Sequence, residues 1–161
     1  MAIESVGIIG SGIMGSGIAE VVRRARFIYL SGGSPLHLRS VLKESAAWEA
    51  LSAAWHEGAV LAGSSAGAMV LCDPMVDPRG GAFTVGLGMV ENLAVVPHAP
   101  AATFADEHRR TLELAGAGLL VAGIDERTAL VREPDGAWRA AGAGTTCVWR
   151  DGAEVALDAL P

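Results

Sequence analysis

Gly63-Ser64-Ser65-Ala66-Gly67 is a G-x-S-x-G run with one hydroxyl at its centre and small residues on both flanks. The apolar stretch Ala59-Val60-Leu61-Ala62 precedes it, and Ala68-Met69-Val70-Leu71 follows. A buried strand, a sharp turn and a helix are therefore expected in succession. Small flanking residues let the chain turn so tightly that the middle side chain projects alone from the sheet edge. Ser65 Oγ would then stand beside a helix N-terminus, where backbone N–H groups stabilise an oxyanion. The chemistry this supports is attack on a carbonyl, given a general base and an acid to orient it.

Four histidines are available as the base. His37 and His56 fall in expected helices beside polar residues, and His108 lies in the charged run Asp106-Glu107-His108-Arg109-Arg110. These three read as solvated surface groups. His98 differs, because it follows the apolar run Leu93-Ala94-Val95-Val96-Pro97 and stands at the C-terminal end of an expected buried strand. That edge of an open parallel sheet is where sites collect. For the acid, Glu126 is favoured and Asp125 is the runner-up, since both follow the expected strand Leu120–Ile124. The plainer reading of Asp125-Glu126-Arg127 is a charged turn.

Strands and helices alternate around these residues. Val6–Ile9 and Phe27–Leu30 read as strands, with a helical pattern from Ile13 to Ala25 between them. Ser34-Pro35 is a helix start, with serine as N-cap and proline at the first helical position, and this helix is expected to run to about Lys43. A second helix starts near Ser45 and ends at Gly58. Asp73–Gly81 reads as a loop, and Asp106–Leu120 as a helix. After Thr128 the texture changes to short strands and tight turns. The expectation is a single α/β domain over residues 1–161, with a mostly parallel sheet, flanking helices and short antiparallel strands at the C-terminus.

The chain is long enough at 161 residues to bury a core, and about half of it is apolar. A net charge of −6 argues against nucleic acid or an anionic membrane as partner. The apolar N-terminus lacks a basic leader segment and carries Glu4 and Glu20, so it reads as neither signal peptide nor membrane span. Cys72 and Cys147 are isolated, without metal-type spacing, which points to a reducing, cytoplasmic setting and no metal site. Nothing in the composition bars a homo-oligomer.

From about Phe27 onward the chain resembles the aspartyl dipeptidase/cyanophycinase family of serine peptidases. The matching pieces are Leu30-Ser31-Gly32-Gly33-Ser34-Pro35, Gly58 to Met69 around the elbow, Gly86-Leu87-Gly88-Met89-Val90, Val96-Pro97-His98 and Gly123 to Leu130. The resemblance implies a fold like class I glutamine amidotransferases and a Ser-His-Glu triad of Ser65, His98 and Glu126, so it favours Glu126 over Asp125. It implies an oxyanion hole from Gly33 and the N–H of Ala66, and no cofactor. The implied substrate is a small peptide, with aspartyl peptides among the candidates. Arg109 and Arg110 are the nearest counterparts of the family's basic substrate-binding residues, although their spacing departs from the pattern and a solvated helix face explains them equally well.

The first 26 residues resemble a different family, the 3-hydroxyacyl-CoA dehydrogenases, through Val6-Gly7-Ile8-Ile9-Gly10-Ser11-Gly12-Ile13-Met14-Gly15. Gly10, Gly12 and Gly15 form the dinucleotide fingerprint G-x-G-x-x-G. A Rossmann site also needs an acid about 20 residues on to hold the ribose, and the strand Phe27–Leu30 ends in Ser31-Gly32-Gly33 instead. The expectation is a dehydrogenase-type β-α unit fused near Arg24–Phe27 to an N-terminally shortened peptidase portion, residues 27–161. Two alternatives to a working hydrolase follow: a catalytically inactive amidotransferase-like scaffold, and a dinucleotide-binding module.

Overall fold

A computed structural model describes residues 7–8 and 16–161. The chain splits into two compact units, Met1–Val70 and Leu71–Pro161. In the first, β1 (Gly7–Ile8), β2 (Phe27–Leu30) and β3 (Val60–Gly63) form a sheet in that order, with both pairings parallel. Parallel neighbours need a crossover, and helices supply it. These are α1 (Ser16–Arg24) before β2, then α2 (Pro35–Leu42) and α3 (Ala46–His56) before β3. The short α4 (Ala66–Leu71) follows β3.

The helix starts are written in the sequence. Ser34 Oγ accepts from the His37 N–H at 3.3 Å, with Pro35 next, and Ser45 Oγ accepts from the Trp48 N–H at 3.1 Å. Each such cap is worth about 1 kcal/mol. Ala47, Ala50, Leu51 and Ala54 make the buried face of α3, which packs against α1. Ile28 and Leu30 of β2 are buried, whereas Tyr29 between them is exposed, as the period-two alternation of a strand requires. Leu30 pairs with Gly63, so the glycine loop after β2 and the turn after β3 leave the sheet side by side.

The second unit opens with short strands. β4 (Cys72–Asp73), β5 (Met75–Val76), β6 (Phe83–Thr84) and β7 (Val90–Glu91) pair as β4 with β7, parallel, and β5 with β6, antiparallel. β8 (Leu93–Pro97), α5 (Phe104–Glu107), α6 (Arg109–Leu114) and β9 (Leu120–Ile124) make a parallel β-α-β unit. β10 (Thr128–Arg132) and β11 (Trp138–Gly142) form a hairpin. β12 (Thr146–Arg150) runs antiparallel to β9, and β13 (Ala153–Val155) adds to β12, giving the order β13-β12-β9-β8. Residues 93–96 and 120–123 are buried at every position, the mark of strands covered on both faces. Phe104 is fully buried, and a Cβ on Gly123 would come within 2.5 Å of its ring.

Three expectations need correction. The mostly parallel sheet is replaced by small sheets of mixed sense: a parallel β1-β2-β3 sheet, a parallel β8–β9 pair extended by antiparallel β12 and β13, and separate short pairs β4–β7, β5–β6 and β10–β11. The helix expected over Asp106–Leu120 is two short helices broken at His108, ending at Leu114 ahead of Gly116 and Gly118. The stretch expected as a loop from Asp73 contains β5, whose Met75 is fully buried. The C-terminal antiparallel strands agree with expectation, and β1 pairs in parallel with β2. No helix among the described residues is long and apolar enough to cross a membrane.

Candidate active site

Ser65 sits between β3 and α4 with a φ of +50°, a region that costs a non-glycine residue about 1–2 kcal/mol. The two glycines of G-x-S-x-G have separate steric reasons. A Cβ on Gly63 would lie 2.5 Å from the carbonyl carbon of Gly67. A Cβ on Gly67 would overlap the Leu30 carbonyl oxygen. The turn is therefore folded onto itself and onto the end of β2. Hydrogen bonds fix it there: the Ser64 N–H donates to Leu30 O at 3.0 Å, and the Gly67 N–H to Ser64 O at 2.9 Å.

Two neighbours of Ser65 escaped the sequence reading. Tyr29 Oη donates to Ser64 Oγ at 2.6 Å, tying β2 to the residue before the candidate nucleophile. Gly32 also lies against Ser65, since a Cβ there would be 3.3 Å from Ser65 Cβ and 3.8 Å from Oγ. Its neighbour Gly33 has a φ of +136°, and a Cβ there would meet nothing within 4 Å. The double glycine thus lets backbone, rather than a side chain, approach Ser65. Ala66 is the first residue of α4 and is buried.

In the second unit, His98 follows β8 and Glu126 follows β9. The parallel register pairs Pro97 with Ile124, and the Ala99 N–H donates to Ile124 O at 3.0 Å, so the two strand ends are clamped together. His98 Nδ1 lies 2.6 Å from Glu126 Oε1. An ionised carboxylate only accepts, so Nδ1 is the protonated nitrogen and Nε2 carries the lone pair. That is the tautomer a general base needs toward a serine hydroxyl. The two side chains are 58% and 68% exposed, so solvent screens their attraction and the contact orients more than it stabilises. His98 also has a positive φ, +60°.

Asp125 does not take that role here. Its Oδ1 accepts the Glu126 N–H at 2.7 Å. Arg109 pairs loosely with Glu113 along α6, 3.9 Å apart, and both Arg109 and Arg110 are exposed. Of the other histidines, His37 and His56 are exposed, while His108 is half-buried with its ring centroid 4.9 Å from that of Phe104. Neither cysteine is suited to nucleophilic attack. Burial, helped by the charge of Asp73, pushes the Cys72 thiol up to about 12, and burial raises that of Cys147. Gly10, Gly12 and Gly15 lie outside the described residues.

Comparison with known proteins gives these residues a context. The model of peptidase family S51 matches residues 11–139. The crystal structure of a peptidase from an acI-B1 Actinobacterium is similar, with 33% identity and a TM-score of 0.72. The alignment covers 85% of this chain and 58% of that one, so the chain spans little more than half the relative's length. A protein of Listeria monocytogenes EGD-e, designated a candidate peptidase E, shares 17% identity at a TM-score of 0.59. That alignment covers 88% of this chain and 68% of the other, and at this identity it speaks to the fold alone. The family match begins at residue 11, inside the segment expected to be dehydrogenase-like, and takes in all of α1. The fused dehydrogenase opening therefore has no support, and the change of family expected near residue 26 is corrected. The chain belongs to peptidase family S51.

Proposed function

We propose that this chain is a serine-type peptidase acting on small peptides through Ser65, His98 and Glu126. The observation that carries the reading is the 2.6 Å contact from His98 Nδ1 to Glu126 Oε1, which leaves Nε2 as a base. The strained, glycine-flanked Ser65 and the S51 family membership support it. In the reaction, Ser65 Oγ attacks the peptide carbonyl carbon as His98 Nε2 takes the hydroxyl proton. The oxyanion is held by the N–H groups of Gly33 and Ala66. Collapse breaks the C–N bond, the amine leaves with the proton from Nε2, and an acyl-serine remains. Water, deprotonated by His98, then releases the carboxylate product and restores Ser65. Glu126 keeps the imidazole in place and stabilises its charged form throughout. Arg109 and Arg110 are the candidates for holding an acidic substrate group.

A fluorophosphonate probe tests this reading. Labelling of the folded protein at Ser65, abolished in Ser65→Ala with an unchanged melting temperature, is the expected result. A protein that melts cooperatively, resists the probe and turns over no dipeptide would instead be the inactive scaffold.

A further inference from the structure

Glu126 is exposed, so packing against neighbours does not fix its carboxylate. Something else must, and the loop that carries it is anchored through several of its backbone groups. The Asp125 N–H donates to Thr145 O at 3.1 Å. The Glu126 N–H donates to Asp125 Oδ1 at 2.7 Å, and the Glu126 carbonyl accepts from Thr128 Oγ1 at 3.0 Å. Thr128 Oγ1 in turn accepts the Gly144 N–H at 2.9 Å, and the Arg127 carbonyl accepts the Ala143 N–H at 3.1 Å. The end of β11 and the residues after it approach this loop so closely that a Cβ has no room at Gly142 or Gly144. A Cβ on Gly142 would overlap the Arg127 carbonyl oxygen. A Cβ on Gly144 would lie 2.6 Å from both Asp125 Oδ2 and Thr128 Oγ1.

We propose that Asp125 and Thr128 are positioning residues that, braced by Gly142–Gly144, hold the Glu126 backbone so that its carboxylate meets His98 Nδ1. This rests on the triad reading above. Asp125 acts as a hydrogen-bond acceptor for a backbone N–H, and its charge is incidental. Thr128 closes the loop by donating to one side and accepting from the other. A displaced Glu126 loosens its hold on His98 Nδ1, and an ångström of misplacement is enough to slow a reaction severely.

The experiment measures the rate of fluorophosphonate labelling and the downfield Nδ1 proton resonance of His98 in four variants. In Asp125→Ala and Thr128→Val, labelling falls about tenfold or more, as loss of an orienting hydrogen bond predicts, and the Nδ1 proton moves upfield. In Asp125→Asn and Thr128→Ser, which keep the acceptor and the hydroxyl, labelling returns to within about threefold of wild type and the proton stays in place. Melting temperatures report whether each variant is folded. Wild-type rates and an unmoved proton in folded Asp125→Ala and Thr128→Val overturn the proposal, and so does an Asp125→Asn variant as slow as Asp125→Ala. Should the wild-type protein resist the probe, the serine-nucleophile reading fails, and the His98 proton still decides whether these residues hold Glu126.

Discussion

The turn around Ser65 and the pair His98–Glu126 reach their geometry by opposite routes. The turn is steric: five consecutive residues are held in one shape by Gly63 packing on Gly67 and by Gly67 packing on Leu30 at the end of β2, contacts that leave no room for a Cβ. The pair is distant in sequence, 28 residues apart, and meets because two parallel strands end in register. A steric constraint is carried by residue size and is costly to break. A contact set by register is cheap in stability, yet the proposed chemistry depends on it.

That contrast predicts a split between rate and stability. The largest effect is expected in Glu126→Gln, which should cost several powers of ten in fluorophosphonate labelling, the usual penalty for a lost triad member. Its melting temperature should barely move, because the pair is exposed and screened. A large loss of stability in this variant would erase the distinction. Gly67→Ala is expected to behave the other way, destabilising by about 2–3 kcal/mol, since its Cβ falls on a backbone oxygen of β2 that cannot step aside. Denaturant unfolding measures this, and a near-neutral result would show that the turn is looser than its contacts indicate. Tyr29→Phe should be milder, about 1 kcal/mol, because it removes one hydroxyl that donates to Ser64 and leaves the glycine contacts intact. If it cost as much as Gly67→Ala, the turn would owe its shape to that bond.

The effect that is smallest at neutral pH, and appears only in alkali, concerns Cys72, remote in role from either region. Its thiol is held at about 12 in the folded chain against an ordinary value of 9.0. A folded protein that keeps its proton longer than the unfolded chain loses stability as pH rises. This contribution is intact below about pH 9 and declines between about 9 and 12. Cys72→Ala should flatten that part of the stability curve. An unchanged alkaline slope would place the titration elsewhere.

What could be read from sequence follows the same division. Ser34, Ser45 and Gly63 act within a few residues, so their caps and turn were legible, whereas the contact of Gly67 with Leu30 was not. His98 and Glu126 were legible because each ends an unmistakable apolar run, even though their contact is not local. The residues alone favoured Glu126 but left Asp125 open as the runner-up. The choice depends on one carboxylate turning back to its neighbour's N–H while the next reaches across to another strand. The break at His108 was hidden because the run Asp106–Arg110 suits a helix, and the burial of Met75 because Asp73, Pro74 and Asp77 around it look like loop. Tyr29 and Gly32 gave no sign of their part at Ser65, since a strand residue and a loop residue were brought there by sheet pairing.

The positive φ of Ser65 and of His98 has a consequence for how this protein can change. Both positions are ones where glycine would sit more comfortably, so the folded state gains by losing the groups proposed to do the work. A lineage or a laboratory selection rewarded only for robustness would drift toward a sturdier, idle molecule. Persistence of serine and histidine at these two strained sites is therefore a fingerprint of use, one that a comparison of sequences could read without any assay.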